Sequence, residues 1–449
     1  MHASRVLGTF ALTVLLILSS VGAAGSLAAS PSPLLPDSSP APSAAPPGSV
    51  DWQPVSGVLG NALPGFSVDT TVPIVWKDHF YAIESDVVAA VRMPDRDENE
   101  IVVWRQPAIW RSTDGQDWRR RALPSNMIGH LSMVVWGDRL AIIDQREGSQ
   151  ERGWWFLVWS STDGVHWRRQ GGMRLTPTGD LAGCGLNDGV VVSAGARLVA
   201  VASCRLMVGA GGDIRPGYET IGAAAVEPQR DVPTYSWTSV DGQRWNRHTI
   251  HVARNPYADA IRIVRSVGSG VAAITCCRDP RLLWSRDGSR FRAIAPLPNV
   301  HVDAGSDIAA ITDGGGQPVT WLLAARGKAV TAVALGMDRH GWALWVLDPG
   351  PTWRAAALIG DVNWAAIATD GDLAIVAATH YVDVDQETFR PLTLTSTDAA
   401  RTWAVSEDQS VIDYCEIRLA MRVRIVTMGC DEGNGSGLWR TEMPAGLSR

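Results

Sequence analysis

Short apolar runs, separated by turns rich in Gly and Asp, return along the chain from about residue 70 to its end. In each unit an apolar run ends in such a turn, a second run follows, and a third run that carries Trp comes after a loop of variable length. Short runs bounded by turn residues are typical of β-strands. Seven runs stand first in their units and predict the inner strands of an array of like sheets: residues 70–76, 131–136, 190–193, 261–267, 308–312, 364–369 and 417–422.

A repeated phrase of Ser, any residue, Asp, Gly, two further residues and an aromatic lies between strand-like runs, such as Ile101 to Trp110 before the first copy. Ser and Asp can bond the amides of a tight turn, Gly tolerates positive φ, and the aromatic offers an apolar face to the neighbouring unit. The phrase therefore predicts a hairpin turn with an anchor. Four copies share one spacing: Ser112, Asp114, Gly115 and Trp118; Ser161, Asp163, Gly164 and Trp167; Ser239, Asp241, Gly242 and Trp245; Ser285, Asp287, Gly288 and Phe291. Two copies are one residue longer: Ser396, Asp398 and Trp403; and, without a serine, Asp348, Gly350 and Trp353.

The phrase resembles the Asp-box, or BNR repeat, of sialidase-like β-propellers. The family consensus is Ser/Thr-x-Asp-x-Gly-x-Thr-Trp/Phe, on the turn between the third and fourth strands of a blade. Only the two longer copies have that spacing, and each departs from it at one position. The resemblance covers most of the chain after about residue 50. It implies an all-β propeller of four-stranded antiparallel blades, in a member of the family without enzymatic activity.

The sequence contains seven candidate inner strands but six boxes, so one blade lacks a box. The last unit ends at Gly437 to Thr441, which matches the strand before a box, although no box follows. Near the other end of the chain, Ser49, Asp51 and Trp52 resemble the end of a box. We therefore expect a seven-bladed propeller in which the N-terminal segment supplies the outer strand of the last blade and closes the ring. Six blades remain an alternative if the fifth unit is misread.

The chain ends predict export. Residues 1–30 read as a secretory signal, with an uncleaved membrane anchor as the alternative. Residues 31–48 are a disordered linker of Pro, Ser and Ala, and residues 49–449 form the propeller domain. The net charge of −6, with interspersed signs, predicts no nucleic-acid partner and no membrane contact beyond the signal. We expect a monomer that is secreted or at the cell surface.

Six cysteines in an exported chain suggest disulfides. Neighbouring antiparallel strands would bring matching positions together, which predicts the pairs Cys184–Cys204 and Cys415–Cys430. The adjacent Cys276 and Cys277 then form a strained vicinal disulfide or remain a thiol pair. No His or Cys lies at ligand spacing beside them, so we expect neither a metal nor a cofactor.

A sialidase would need arginines that grip a carboxylate, a Tyr nucleophile activated by a carboxylate, and an Asp as acid and base. The family's Arg-Ile-Pro signature should precede the first box, yet residues 50–90 contain no arginine. The remaining catalytic candidates are Tyr414, Glu416 and Arg418 by the last inner strand, and Arg262 and Arg265 on another. Salt bridges in a solvated channel explain inward arginines equally well.

The sequence therefore favours an exported β-propeller that acts as a binding scaffold for a protein, peptide or glycan, without catalysis. The alternative is a sialidase-like exo-glycosidase with an altered active site. The most variable segments lie between second and third strands and mix charge with aromatic residues, as adaptable contact surfaces do. Each occupies the same place in its unit, so we expect them on one face: residues 95–100, 146–152, 209–233 and 381–389.

Overall fold

The computed structural model describes residues 50, 52–55, 73–84, 88–92, 100–104, 106–146, 154–175, 184–185, 189–203, 205–206, 234–250, 261–275, 280–302, 305–327, 341–350, 352–360, 362–383, 388–407, 412–413, 416–431 and 437–443. The regular elements in these residues are β-strands, and they build seven four-stranded antiparallel blades. The seven-bladed propeller predicted from the sequence is confirmed, and the six-bladed alternative is excluded.

The first strand of the chain, β1 (Gln53–Pro54), belongs to the last blade. Blade 1 contains β2 (Ile74–Trp76), β3 (His79–Glu84), an added hairpin of β4 (Val88–Arg92) and β5 (Glu100–Trp104), β6 (Ala108–Ser112) and β7 (Arg119–Ala122). Blade 2 contains β8 (His130–Trp136), β9 (Arg139–Arg146), β10 (Trp154–Ser161) and β11 (Arg168–Leu175). Blade 3 contains β12 (Cys184–Gly185), β13 (Val190–Ala194), β14 (Arg197–Ser203), β15 (Arg205–Leu206), β16 (Thr234–Ser239) and β17 (Asn246–Ile250), with β12 and β15 paired apart from the main sheet.

Blade 4 contains β18 (Ile263–Val267), β19 (Gly270–Ile274), β20 (Arg281–Ser285) and β21 (Arg292–Pro296). Blade 5 contains β22 (Val300–His301), β23 (Asp307–Thr312), β24 (Pro318–Gly327), β25 (Trp342–Leu347) and β26 (Arg354–Gly360). Blade 6 contains β27 (Val362–Asp370), β28 (Leu373–Asp383), β29 (Thr388–Ser396), β30 (Ala404–Glu407) and β31 (Ile412–Asp413). Blade 7 contains β32 (Glu416–Arg422), β33 (Ile425–Asp431), β34 (Gly437–Glu442) and, as its fourth strand, β1.

The ring is closed by the N-terminal segment, as expected. Gln53 pairs with Arg440 and Pro54 with Trp439, antiparallel to β34. The segment also contacts blade 6, because the Trp52 indole Nε1 donates to Thr393 Oγ1 at 2.9 Å. This closure leaves β34 without a free edge in the last blade.

The strand-like run before the first box divides into two elements. β5 pairs only with β4, whereas β6 pairs with β3 and is the third strand of blade 1. Pro107 lies between β5 and β6 and has no backbone N–H to donate to a ladder. The sequence-based interpretation of one continuous strand from Ile101 to Trp110 is therefore corrected.

The apolar core is distributed among the blade interfaces. The buried hydrophobic residues that the structure describes form seven clusters, and each cluster joins one pair of adjacent blades. Phe156 between blades 2 and 3 and Trp342 between blades 5 and 6 are fully buried. Both faces of each sheet are covered in this way, which is why the strands read as continuous apolar runs.

The repeated phrase forms the turn between the third and fourth strands. In blade 1 the Gly115 amide donates to Ser112 Oγ at 2.8 Å, and the amides of Gln116 and Asp117 both donate to Asp114 Oδ1 at 2.9 Å. The glycines of the four shorter boxes have φ near +70°, a conformation that glycine adopts at low cost: Gly115 (+72°), Gly164 (+73°), Gly242 (+73°) and Gly288 (+75°). Gly350, in one of the two longer boxes, differs, with φ at +153°.

Each box contacts the preceding blade. A Cβ on Gly288 of blade 4 would lie 2.3 Å from Val199 Cγ2 of blade 3. The Trp353 indole of blade 5 donates to Pro296 O of blade 4 at 2.9 Å. Arg440 of blade 7 donates to Asp114 O of blade 1 at 2.8 Å, so the same contact crosses the ring closure.

The two ends of the propeller differ in their connections. The turns between first and second strands and the boxes share one end, which we call the box face. The connections between second and third strands, and those between blades, share the other end, the loop face. Of the predicted variable segments, residues 95–99, 147–152, 209–233 and 384–387 lie outside the described residues. The prediction of a loop over 381–389 is wrong at both ends, because residues 381–383 belong to β28 and residues 388–389 to β29.

Candidate functional site

The first strands β2, β8, β13, β18, β23, β27 and β32 surround the propeller axis, and we call them the central ring. Each one contacts the first strand of the next blade. Polar side chains of the central ring are therefore within reach of neighbouring blades. Four of the five catalytic candidates lie on these strands or beside them: Arg262, Arg265, Glu416 and Arg418.

Arg265 is bound to a buried carboxylate of the next blade. Its Nε lies 2.8 Å from Asp307 Oδ1, with the Asp307 side chain 7% exposed and that of Arg265 33% exposed. The other oxygen, Asp307 Oδ2, accepts a hydrogen bond from the Ile367 amide of blade 6 at 2.9 Å. Asp307 thus connects the first strands of blades 4, 5 and 6, and the Arg265 guanidinium is engaged in this connection.

The other arginine candidates make further contacts of their own. The Arg418 guanidinium lies over the Trp364 ring, 5.9 Å from its centroid, and Nη1 donates to Ile417 O at 3.4 Å. Arg262 is exposed, and its amide donates to Ile274 O at 2.9 Å. Tyr414 and the side chain of Glu416 lie outside the described residues.

Further polar bonds join the strands of the central ring. The Ser193 amide donates to Ser266 Oγ at 3.0 Å, which links blades 3 and 4. Thr369 Oγ1 donates to Ala310 O at 3.0 Å, which links blades 6 and 5. These bonds satisfy polar groups between blades and need no ligand.

Besides Asp307, the structure adds two buried carboxylates that the sequence analysis did not single out. Glu84 is 4% exposed at the end of β3 and accepts from Trp110 Nε1 at 3.0 Å and from Arg120 Nε at 2.9 Å. Asp144 of β9 is fully buried and binds Arg146 through Nε at 3.1 Å and Nη2 at 2.7 Å. In the sequence, both positions can be recognised as an acidic residue that comes directly after the apolar part of a second strand. Both carboxylates are paired, so their geometry supports a structural role.

The box carboxylates are held in their charged form. The pKa lies below its usual value for Asp114, Asp163, Asp241, Asp287 and Asp398. For Asp114 and Asp241 the main cause is the hydrogen bond from the amide three residues further along. For Asp163 the side chain of His166 contributes most to the lowered pKa. For Asp287 and Asp398, burial is the largest influence and raises the pKa, but the hydrogen bonds of the turn outweigh it.

The predicted cysteine pairs are only partly described. Cys184 pairs with Leu206 in the β12–β15 ladder, and Cys430 of β33 lies opposite Ile417. The remaining cysteines lie outside the described residues: Cys204, Cys276, Cys277 and Cys415. Both disulfides stay predictions.

Two kinds of feature, a metal-binding cluster and a membrane-spanning helix, are absent from the described residues. No group of three or more His, Cys, Asp and Glu side chains in them is arranged to hold a metal ion. Among the same residues, no helix has the length and apolarity needed to cross a membrane.

No protein-family model and no curated protein matches the chain. Among solved structures, it is similar to a phage phi92 endosialidase (13% identity, 89% of this chain and 70% of that one, TM-score 0.42). It is also similar to a Trypanosoma rangeli sialidase in complex with sialic acid (13% identity, 74% and 55% of the two chains, TM-score 0.40). A third is an α-L-arabinanase of Penicillium chrysogenum complexed with arabinobiose (10% identity, 82% and 99%, TM-score 0.41). These likenesses are too distant to assign an activity to this chain.

Proposed function

We propose that the protein is an exported binding scaffold whose loop face contacts a protein, peptide or glycan, and that it carries out no catalysis. The observation behind this proposal is the engagement of Arg265 by Asp307. An arginine that recognises a substrate carboxylate must offer its guanidinium to the ligand. Arg265 instead neutralises a buried carboxylate that also holds a neighbouring blade.

The loop face suits a binding role for a second reason. Its connections lie on a rigid scaffold of seven packed blades, and they differ in length and charge from blade to blade. Loops of this kind vary without disturbing the core that positions them.

The alternative is a sialidase-like exo-glycosidase with an altered site. It is favoured by the neighbouring positions of Tyr414, Glu416 and Arg418 at the start of β32. A Tyr nucleophile next to a carboxylate, with an arginine close by, is the arrangement that a sialidase requires.

The deciding experiment measures turnover of the full chain on a panel of fluorogenic glycosides that includes sialosides. We expect no release above that of buffer. Tyr414→Phe removes the only nucleophile of the alternative site, and Tyr235→Phe is the matched control, because Tyr235 is buried between blades 2 and 3. Release that persists in Tyr235→Phe and disappears in Tyr414→Phe would establish the glycosidase and overturn the binding proposal.

A further inference from the structure

The fourth strands of blades 1 to 4 carry arginine and no acidic residue. Their sequences are RRRA in β7, RRQGGMRL in β11, NRHTI in β17 and RAIAP in β21. Fourth strands form the outer edges of the blades, so these arginines follow one another around the circumference. We call them the basic rim: Arg119, Arg120, Arg121, Arg168, Arg169, Arg174, Arg247 and Arg292.

One arginine of the basic rim occupies an equivalent position in each of the four blades. In each of the four blades, one rim arginine lies directly opposite a buried Trp of the third strand. The pairs are Trp110 with Arg120, Trp159 with Arg169, Trp237 with Arg247, and Trp284 with Arg292. In blade 4 the guanidinium of Arg292 lies 5.3 Å from the Trp284 ring centroid. The Trp284 indole thus supports the stem of Arg292, whereas Arg247 of blade 3 lies over the Tyr235 ring at 4.9 Å from its centroid.

Several rim arginines have no counter-charge among the residues that the structure describes. Arg120 is bound to Glu84, but no ion pair with a described residue holds Arg119, Arg121, Arg168 or Arg169, and all four are exposed. Arg119 also lies opposite another cation, Arg111 of β6. In a chain of net charge −6, such an excess of one sign on one arc marks a surface for an anionic partner.

The rest of the circumference is different. The fourth strands of blades 5, 6 and 7 read RAAALIG, AVSE and QP. Their one arginine, Arg354, forms an ion pair with Asp348 at 2.9 Å, and exposed apolar side chains such as Leu358 and Val405 occupy the rim there. If arginines served only to protect sheet edges from pairing, all seven edges would need them equally. The restriction of the basic rim to four consecutive blades points to recognition.

We propose that the basic rim binds a linear anionic glycan, a polymer that bears sulfate or carboxylate groups at regular intervals. Arginine donates two parallel hydrogen bonds to such groups. The rim is the convex edge of a disc, so a flat bilayer touches it at one blade, whereas a flexible polymer can follow several. This surface is distinct from the loop face.

The aromatic residues of the rim argue against single-stranded nucleic acid. Proteins that bind it stack the bases on exposed aromatic rings. The rim tryptophans have at most 9% of their surface exposed, and they face the arginines of their own blade. The basic rim therefore presents charge to a ligand and offers no stacking surface.

The test measures the affinity of the full chain for heparin, as a sulfated glycan, and for polygalacturonate, as a carboxylated one, at several salt concentrations. The variant Arg119→Gln/Arg121→Gln/Arg168→Gln removes three exposed charges and leaves the arginines opposite the tryptophans in place. We expect binding that weakens as salt rises and a loss of about tenfold in affinity in this variant. The stronger of the two glycans identifies the anionic group.

The matched control carries the same change in net charge on the opposite arc. Ala355→Glu/Leu358→Glu/Val405→Glu lies on the exposed positions of β26 and β30, and its affinity should stay within about twofold of the parent. Arg119→Lys/Arg121→Lys/Arg168→Lys should bind more tightly than the Gln variant and more weakly than the parent, because it keeps the charge but loses the parallel hydrogen bonds. An equal loss in the control would mean that net charge alone acts, and would overturn the proposal. Failure of the parent to bind either glycan, or tighter binding to single-stranded DNA or to anionic vesicles, would do the same.

Discussion

At the scale of single residues, Asp307 has a central position in the ring. One carboxylate accepts the guanidinium of Arg265 from blade 4 and the amide of Ile367 from blade 6, while its own strand belongs to blade 5. Breaking a buried ion pair by removing one partner is costly, since the other charge is left without compensation. The three blades therefore depend on this single side chain.

We predict that Asp307→Ala lowers the free energy of unfolding by about 3 kcal/mol, because it leaves the Ile367 amide without an acceptor and Arg265 without its counter-charge. The matched control is Asp348→Ala, which breaks the ion pair of Asp348 with Arg354 at 2.9 Å, where the two side chains are 50% and 40% exposed. An exposed pair contributes about 0.5 kcal/mol. Urea unfolding followed by Trp fluorescence measures both. Equal effects of the two substitutions would contradict the role given to Asp307.

In the central ring, the sequence predicts which residues lie on the first strands but not which of them contact each other. Arg262 and Arg265 are recognisable as inner-strand arginines from the apolar run that contains them. The partner of Arg265 is not, because Asp307 lies 42 residues further on, in another blade. Which acid meets which arginine depends on how adjacent blades are rotated against each other, and a local pattern contains no information on that rotation.

At the scale of the element, the box turn joins two blades. Its hydrogen bonds close the turn within its own blade, and its glycine lies against the preceding one. A glycine is required at Gly288 for two reasons: φ is +75°, and a Cβ would come within 2.3 Å of Val199. The turn is thus shaped by its neighbour as well as by its own sequence.

We predict that Gly288→Ala destabilises the protein by about 3 kcal/mol, the sum of left-handed strain and overpacking against Val199. Gly371→Ala is the control, because Gly371 has a φ of +57° with nothing within 4 Å of the added Cβ. Gly371→Ala therefore measures the left-handed backbone strain alone, which we expect to cost about 1 kcal/mol. Thermal and urea unfolding of the two variants give the comparison. If both lose the same stability, the contact with the preceding blade contributes nothing.

The elements themselves were largely predictable. Seven apolar runs predicted the seven first strands, because each run is short and bounded by turn residues. The first box strand was the exception. A strand-like run continues in the sequence from Ile101 to Trp110. Only the strand pairing shows that Pro107 separates the β4–β5 hairpin from β6, the third strand of blade 1. The basic rim was not predicted either, because its arginines lie in short groups tens of residues apart, and only the fold places these groups on one arc of the circumference.

At the scale of the whole molecule, the ring depends on the segment that ends at Val55. Val50, Trp52 and Val55 are buried. They contact three blades, through Ser406 and Thr393 of blade 6, Leu438 of blade 7 and the cluster shared with Trp110 of blade 1. Removal of this segment would expose the edge of β34 and the apolar surface beneath it.

We predict that a chain lacking residues 1–55 melts about 5–10 °C below the full chain and self-associates, because β34 becomes an unpaired edge and a buried Trp is lost. The control lacks residues 1–49 and keeps β1. Differential scanning fluorimetry and size-exclusion chromatography compare the two. A monomeric chain with unchanged melting after removal of residues 1–55 would show that closure by β1 is dispensable.

Ring closure also orders events during biosynthesis. β1 leaves the ribosome before any other strand, and its partner β34 is the last. Six blades can fold as they emerge, since each is built from consecutive strands, but the seventh must wait for the whole chain. Until then β1 remains an unpaired strand beside a growing apolar surface. A chain halted anywhere before residue 437 is an open ring with two exposed ends, which is the form that chaperones and proteases would encounter.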